Sequence, residues 1–451
     1  MKNLRAIYFL SVCSAYSVVR FLKVRATGLI LSVCSVYSVV RFLNAKTTEH
    51  TDGREYTERN CVSVVRFLKT ITTEHTEKEE YTERSRVYRT VAICCLMLFT
   101  LIPFVLAQQP HIFKRKIIED RMLRVAKWQL ANPNHELFDW TNGAFYAGVF
   151  ATYETTKSKD IWNALLQMGE KNKWGPGRRF DHADDIVINQ TYLDMYRITK
   201  DKKMLQPTID VIARLKTEPG QEAVKHGITW WWCDALFMGP PTLAKLAAVT
   251  GDKSYLELND KLFAQTYDLL YDKQEHLYAR DASYLIDAKG GGKREANGKK
   301  VFWSRGNGWV VGGLLRLIRE LPKDHPRREF YVQQYREIVE RVAGLQQADG
   351  LWRSSLLDPD SYPGGESSGT GFYTYAMAWG INNKMLDRKK FLPVVKKAWT
   401  GLNTLVHDDG KVGWTQPIGA DPRRNFNADS WEVYGAGAYL LAASEVVKLK
   451  L

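Results

Sequence analysis

This 451-residue chain predicts an all-α fold, an (α/α)6 barrel of six helical hairpins closed into a toroid, and three observations carry that reading. From about Arg115 onward the apolar residues recur with a helical period. Segments of small and aromatic residues alternate with more charged, amphipathic ones. Strand signals are few, limited to short pieces such as 277–280 and 411–414. The apolar helices begin near Asn142, Asp184, Asp234, Gly306, Gly369 and Trp431; charged partners include 161–171, 203–215, 253–271, 327–345 and 388–402. Six inner and six outer helices close a double ring. The loops that precede the inner helices then converge on one face, so Asp139, Asp184, Asp234, Arg305 and Ser367 line one concavity although they are far apart in sequence.

The first hundred residues do not belong to that ring. The segment 10–22 recurs almost unchanged at 31–43, a fragment returns at 63–68, and 47–59 is echoed at 72–84. Copies this similar, with no stacking partner, differ from the diverged repeats of a solenoid. Residues 1–85 therefore read as a duplicated extension, disordered or upstream of the true start. Residues 86–107 combine a basic flank at Arg86 and Arg89 with an apolar run that ends Val105-Leu106-Ala107, the pattern of a signal peptide cleaved near Ala107. The run is short for a bilayer span and contains Pro103, so stable insertion of the mature chain is not expected. A periplasmic or secreted catalytic domain over 108–451 follows.

Five of the six cysteines lie before that boundary and only Cys233 follows it, which excludes a disulfide framework. The formal charge is +14, but residues 1–107 hold 15 Lys and Arg against 9 Asp and Glu, leaving +8 for the remainder. The basic residues are dispersed, so no nucleic-acid partner is expected. An anionic substrate is compatible with the balance.

The densest chemistry is Trp230-Trp231-Trp232-Cys233-Asp234, opening an apolar helix that carries no other acid. A carboxyl among aromatic rings is poorly solvated, so it retains its proton to higher pH and suits a general acid; the competing reading is a helix cap. A second aromatic island, Trp303-Ser304-Arg305-Gly306-Asn307-Gly308-Trp309, offers ring faces and a guanidinium to a sugar and an anionic group. Asp181-His182-Ala183-Asp184-Asp185 places three carboxyls and an imidazole at the mouth of a helix. Their spacing matches neither a calcium loop nor a zinc helix, so no metal is assigned. One of Asp184 and Asp185 caps the helix in this reading, and the other binds sugar hydroxyls or shares a proton with Asp234. His226 either contacts substrate or completes a loop, whereas His135, His276 and His407 have no partner legible in sequence. Ser367-Ser368-Gly369 offers hydroxyls and amides at a helix start without the spacing of a phosphate loop. Nucleophile-elbow and dinucleotide fingerprints are absent from the chain, and no organic cofactor is expected.

Taken together, Trp232 to Pro241, His182 to Asp185 with Gln190 to Tyr196, Trp303 to Trp309 and Ser368 to Gly380 resemble glycoside hydrolase family 105, the unsaturated rhamnogalacturonyl hydrolases and their glucuronyl-directed relatives. The resemblance covers roughly residues 121–449. It implies an (α/α)6 barrel that removes a 4,5-unsaturated uronic acid from the non-reducing end of lyase-generated oligosaccharides. It further implies that Asp234 protonates C4, that Asp184 or Asp185 assists, and that Arg305 pairs with the uronate while Trp232, Trp303 or Trp309 stacks on the ring; beside these, the residues themselves offer His182, His226 and Ser368 as binding candidates. Where rhamnogalacturonan-directed members share a histidine-glycine segment, this chain reads Leu277-Tyr278-Ala279-Arg280. Arg280 thus points to another leaving sugar, such as those beside unsaturated glucuronyl groups from ulvan or arabinogalactan. A different toroid enzyme, epimerase or inverting glycosidase, requires a paired histidine or second acid, and a carbohydrate-binding protein has no need of Asp234.

Overall fold

The computed structural model describes residues 111–450, so the extension 1–85 and the expected signal segment 86–107 lie outside the described residues. In chain order the helices are α1 (Arg115–Ala131), α2 (Trp140–Thr156), α3 (Lys159–Lys171), the single turn α4 (Ala183–Ile186), α5 (Asn189–Thr199), α6 (Gln206–Thr217) and α7 (Gln221–His226). They continue with α8 (Ala235–Thr250), α9 (Ser254–Leu270), α10 (Ser304–Glu320), α11 (Arg328–Ala343), α12 (Ser367–Asn382), α13 (Arg388–Asn403) and α14 (Val433–Val446).

Helices α2, α5, α8, α10, α12 and α14 pack each on the next, and α14 returns to pack on α2, closing the inner ring. Nearly every residue of α8, α10, α12 and α14 is buried, as a helix apolar on all sides requires. Outside lie α3, α6, α9, α11 and α13, whose buried positions form a single stripe. The sixth outer helix is α1, which packs on both α14 and α2. Four inner helices, α2, α8, α10 and α12, pack on the outer helix that follows each of them, the apolar-then-charged order of the sequence, while α14 takes its outer partner α1 from the start of the described chain. Close approach of the inner helices depends on missing side chains at two places. A Cβ on Gly313 of α10 would lie 2.1 Å from the Leu236 carbonyl oxygen of α8, and one on Gly148 of α2 would lie 2.7 Å from that of Gly437 in α14.

Pro240 and Pro241 sit inside α8 and remove two amide donors from its ladder. Gln190 of α5 replaces one of them, its side-chain amide donating to Phe237 O at 2.8 Å and Met238 O at 3.1 Å. Arg316 of α10 in turn donates through Nε to Gln190 Oε1 at 2.9 Å. Three inner helices are thereby joined through one polar link within the apolar ring. Of the two strand pieces expected, 277–280 supplies β2 (Leu277–Tyr278), antiparallel to β1 (Tyr271–Asp272). The 411–414 piece forms only an isolated bridge between Val406 and Val412.

Candidate active site

The N-terminal ends of the inner helices share one face, and the acidic and aromatic motifs meet there. Asp234 directly precedes α8 but caps nothing: its backbone is helical and its carboxylate accepts no amide of the first turn. Only 8% of the residue is exposed. Its nearest polar neighbours are Arg280, with Nε at 3.8 Å from Oδ2, and the Cys233 thiol at 3.7 Å. Burial raises the Asp234 pKa, while the positive charges of Arg280 and Arg305 pull it back. The side chain is thus a buried carboxyl of raised proton affinity rather than a cap.

Asp184 lies in the turn α4, and burial, then the negative charge of Asp234, lift its pKa well above the ordinary carboxylate range. Two carboxyls that repel each other's charge titrate as a pair, each favouring the protonated form of the other. Asp185 is turned away from this pair. Its carboxylate receives Arg179 through Nε at 3.2 Å and Nη2 at 2.6 Å, and the Arg179 amide at 2.8 Å. The expectation that either residue serves the chemistry is thus corrected: Asp185 fastens the loop before α4, and Asp184 faces Asp234.

His182 accepts from the Asp184 amide at 3.3 Å through Nδ1 and packs its ring on Trp232, with centroids 4.5 Å apart. Burial, then the Arg179 charge, lowers its pKa to about 4, so the imidazole is neutral at physiological pH. His226 stacks on Trp231 at 4.0 Å and lies 3.8 Å from Glu222, which accepts from Trp231 Nε1 at 2.7 Å. The Arg280 guanidinium sits 5.3 Å from the Trp231 ring centroid and donates to Asp281 at 2.7 Å. Trp232 and Trp303 are almost wholly buried, while Trp231 keeps part of its surface exposed. Trp231, not singled out from its two neighbours in sequence, is the one of the three that keeps partial exposure, between His226 and Arg280.

Three other expectations are corrected. Arg305 is fully buried, and its guanidinium donates to the carbonyls of Gln416, Pro417 and Gly419 and to Tyr434 Oη at 2.6 to 3.3 Å. Its plane lies between the rings of Trp303 and Tyr434, at 4.4 and 4.7 Å, so it clamps the 416–419 loop instead of meeting a uronate. Trp309 is also fully buried, packed by Trp140, Phe237, Phe372 and Tyr434, and forms floor rather than platform. The Ser368 hydroxyl is spent on Glu366 at 2.5 Å. Glu366, overlooked in sequence, caps α12 by accepting from the amides of Ser368 and Gly369 at 3.0 and 2.6 Å. A glutamate directly before Ser367-Ser368-Gly369 was the available signal. Ser367 meets Thr415 at 2.8 Å, and Asp139 caps α2 through Thr141, so both serve the frame. The histidines left without partners also have structural ones: His135 meets Glu432 at 2.9 Å, His276 meets Tyr271 at 3.0 Å, and His407 meets Ala428 O at 2.8 Å.

Several polar atoms of these motifs are buried and have no partner in the protein: Arg280 Nε, Arg305 Nε, His226 Nε2, Trp303 Nε1 and Ser304 Oγ. Buried donors of this kind ordinarily find an acceptor, and a polyhydroxylated acid is rich in them. Among the described residues no cluster of three or more His, Cys, Asp or Glu side chains is arranged to hold a metal ion.

Residues 114–450 match the model of Glycosyl Hydrolase Family 88. The chain belongs to glycosyl hydrolase family 88. This family 88 chain is 43% identical over 344 residues to an unsaturated 3S-rhamnoglycuronyl hydrolase of Formosa agariphila, covering 74% of this chain and 91% of that protein. A solved family 88 glycosyl hydrolase from Bacteroides vulgatus is 30% identical with a TM-score of 0.68, covering 74% of this chain and all of that one. A possible member of family 105 from Salmonella enterica shares the fold at 20% identity, with a TM-score of 0.62 over 74% of this chain and 94% of its own. The resemblance to unsaturated uronyl hydrolases and the (α/α)6 architecture are both upheld, and this chain is a glycosidase.

Proposed function

We propose that this family 88 protein is an unsaturated uronyl hydrolase that hydrates the C4=C5 bond of a 4,5-unsaturated uronic acid at the non-reducing end of lyase-generated oligosaccharides. The observation that carries the reading is Asp234, a buried aspartate that caps no helix and whose proton affinity burial raises. In this mechanism its proton goes to C4, and the ring oxygen delocalises the cation that develops at C5. Water adds at C5 and returns its proton to Asp234. The C5 hemiketal opens to a ketone, and the hemiacetal left at C1 collapses to an aldehyde with release of the leaving sugar. A single carboxyl that gives and takes the proton suffices, unlike the two-carboxylate machinery of ordinary glycosidases. Asp184 orients the ring by its hydroxyl and sustains the proton on the pair.

Arg280 takes the role first given to Arg305. Its Nε carries a buried, unspent donor 3.8 Å from Asp234, so a uronate carboxylate seated on it neutralises the charge that favours ionised Asp234. Substrate then raises the proton affinity of its own acid. The activity of the Formosa relative, an unsaturated 3S-rhamnoglycuronyl hydrolase, supports an unsaturated rhamnoglycuronyl linkage as substrate. The basic flank and apolar run that end at Ala107 support export to the periplasm or medium; N-terminal sequencing of the mature protein tests that. No helix of the described residues is long and apolar enough to cross a membrane. For the chemistry, Asp234→Asn should fold normally and lose at least about 1,000-fold in turnover on an unsaturated rhamnoglycuronyl oligosaccharide, since the amide cannot deliver a proton. Near-normal turnover by that variant would remove Asp234 from the mechanism.

A further inference from the structure

All six inner helices also contribute to a cavity of about 520 Å³ on the face opposite Asp234, mostly from their C-terminal halves. That volume suits a small ligand. Phe150 and Tyr375 supply aromatic wall, and seven basic side chains against four acidic ones line the space. Three of the four acids are already engaged. Lys245 pairs with Asp194 and with Glu320 at 3.3 Å, Arg197 meets Glu320 at 2.6 Å, and Lys448 meets Glu445 at 2.7 Å.

Two arginines on α10, one turn apart, remain under-used. Arg316 is 6% exposed and makes one hydrogen bond, through Nε to Gln190, while its buried Nη2 has no partner. Arg319 reaches Tyr375 Oη at 3.5 Å and Glu445 at 3.9 Å, both at the limit of useful contact. The helix C-termini carry partial negative charge that offsets part of the basic excess, but no carbonyl of theirs accepts from Arg316 Nη2. A buried, unpartnered donor on Arg316 beside the like charge of a half-exposed Arg319 calls for acceptor oxygens bearing negative charge.

We propose that this cavity is a second ligand site, which takes a small molecule carrying an oxyanion group, with Arg316 and Arg319 as its donors. Turnover at Asp234 does not draw on these residues, so the two sites separate in experiment. Purified protein is titrated with sodium glucuronate, sodium sulfate and neutral glucose at ionic strength matched with sodium chloride, following melting temperature and calorimetric heat, and turnover is measured in parallel. Arg319→Gln is the variant of choice, because its side chain is partly exposed and its contacts are weak. Glucuronate or sulfate should raise the melting temperature saturably and glucose should not. The variant should bind about tenfold more weakly, as for loss of one charge-assisted contact, with unchanged turnover. A larger response to glucuronate assigns a carboxylate ligand, and a larger response to sulfate assigns a sulfated one. The absence of a saturable shift, or an equal shift in Arg319→Gln, would overturn the site.

Discussion

Replacing Arg280 by glutamine tests how Asp234 is tuned. The guanidinium Nε lies 3.8 Å from Asp234 Oδ2. At that distance, with an effective dielectric constant of about 20, the attraction for ionised Asp234 is about 4 kcal/mol as an upper limit. Shifts of about 1–3 pKa units are usual for a carboxyl beside an arginine. The loss of Arg280 also frees the charge of Asp281, which the guanidinium now holds at 2.7 Å, and that charge acts in the same direction. The reaction needs protonated Asp234, so activity falls as pH rises through its pKa. In Arg280→Gln the basic limb of kcat/KM should therefore move to higher pH by about 1–3 units. At neutral pH, kcat/KM itself should fall about 10- to 100-fold through the lost uronate contact. Arg280→Lys keeps the charge and should keep the limb near its wild-type position. An unmoved or lowered limb in Arg280→Gln would refute the proposed coupling, whatever happens to affinity.

Other outcomes follow from the same geometry. Asp184→Asn should raise stability by about 0.5–2 kcal/mol at pH 7, because it removes a carboxyl whose ionisation burial and the Asp234 charge oppose, while turnover collapses; urea melts and initial rates report both. Asp185→Asn should do the reverse, costing about 1–3 kcal/mol through the Arg179 contacts and lowering turnover far less than Asp184→Asn. His182 binds its proton less readily folded, at about 4, than unfolded, at about 6.5. Its contribution, on the order of 3 kcal/mol, is complete above about pH 6.5 and is lost as pH falls through about 4. The stability difference between wild type and His182→Gln should therefore shrink across that window, and a constant difference contradicts it. Glu366→Ala should cost about 1–2 kcal/mol as the lost cap of α12, measurable by thermal denaturation.

The inner ring was legible because α8, α10, α12 and α14 owe their burial to local composition, small and aromatic residues with few charges. Closure by α1 was not legible, because its partners α14 and α2 come from opposite ends of the described chain and no local signal joins them. At the site, Asp234 declared itself through its aromatic neighbours. Arg305 misled for a physical reason: an arginine between tryptophans reads as an anion partner, whereas its real acceptors are backbone carbonyls more than a hundred residues later. Asp184 and Asp185 are adjacent in sequence and differ only in which way the turn α4 points them, and Arg179 decides that. Glu366 lay hidden because glutamate at a helix start is an ordinary surface residue unless the end is buried, as here. Trp231 could not be separated from Trp230 and Trp232 without knowing which indole the ring leaves uncovered.

The central claim is hydration of the uronide double bond, and one kinetic trace tests it: ultraviolet absorbance of an unsaturated rhamnoglycuronyl oligosaccharide followed alongside release of the leaving sugar. The mechanism predicts that absorbance falls in step with or ahead of release, one double bond for each sugar freed. Sugar released while the absorbance persists would show direct cleavage at the anomeric carbon and contradict the account.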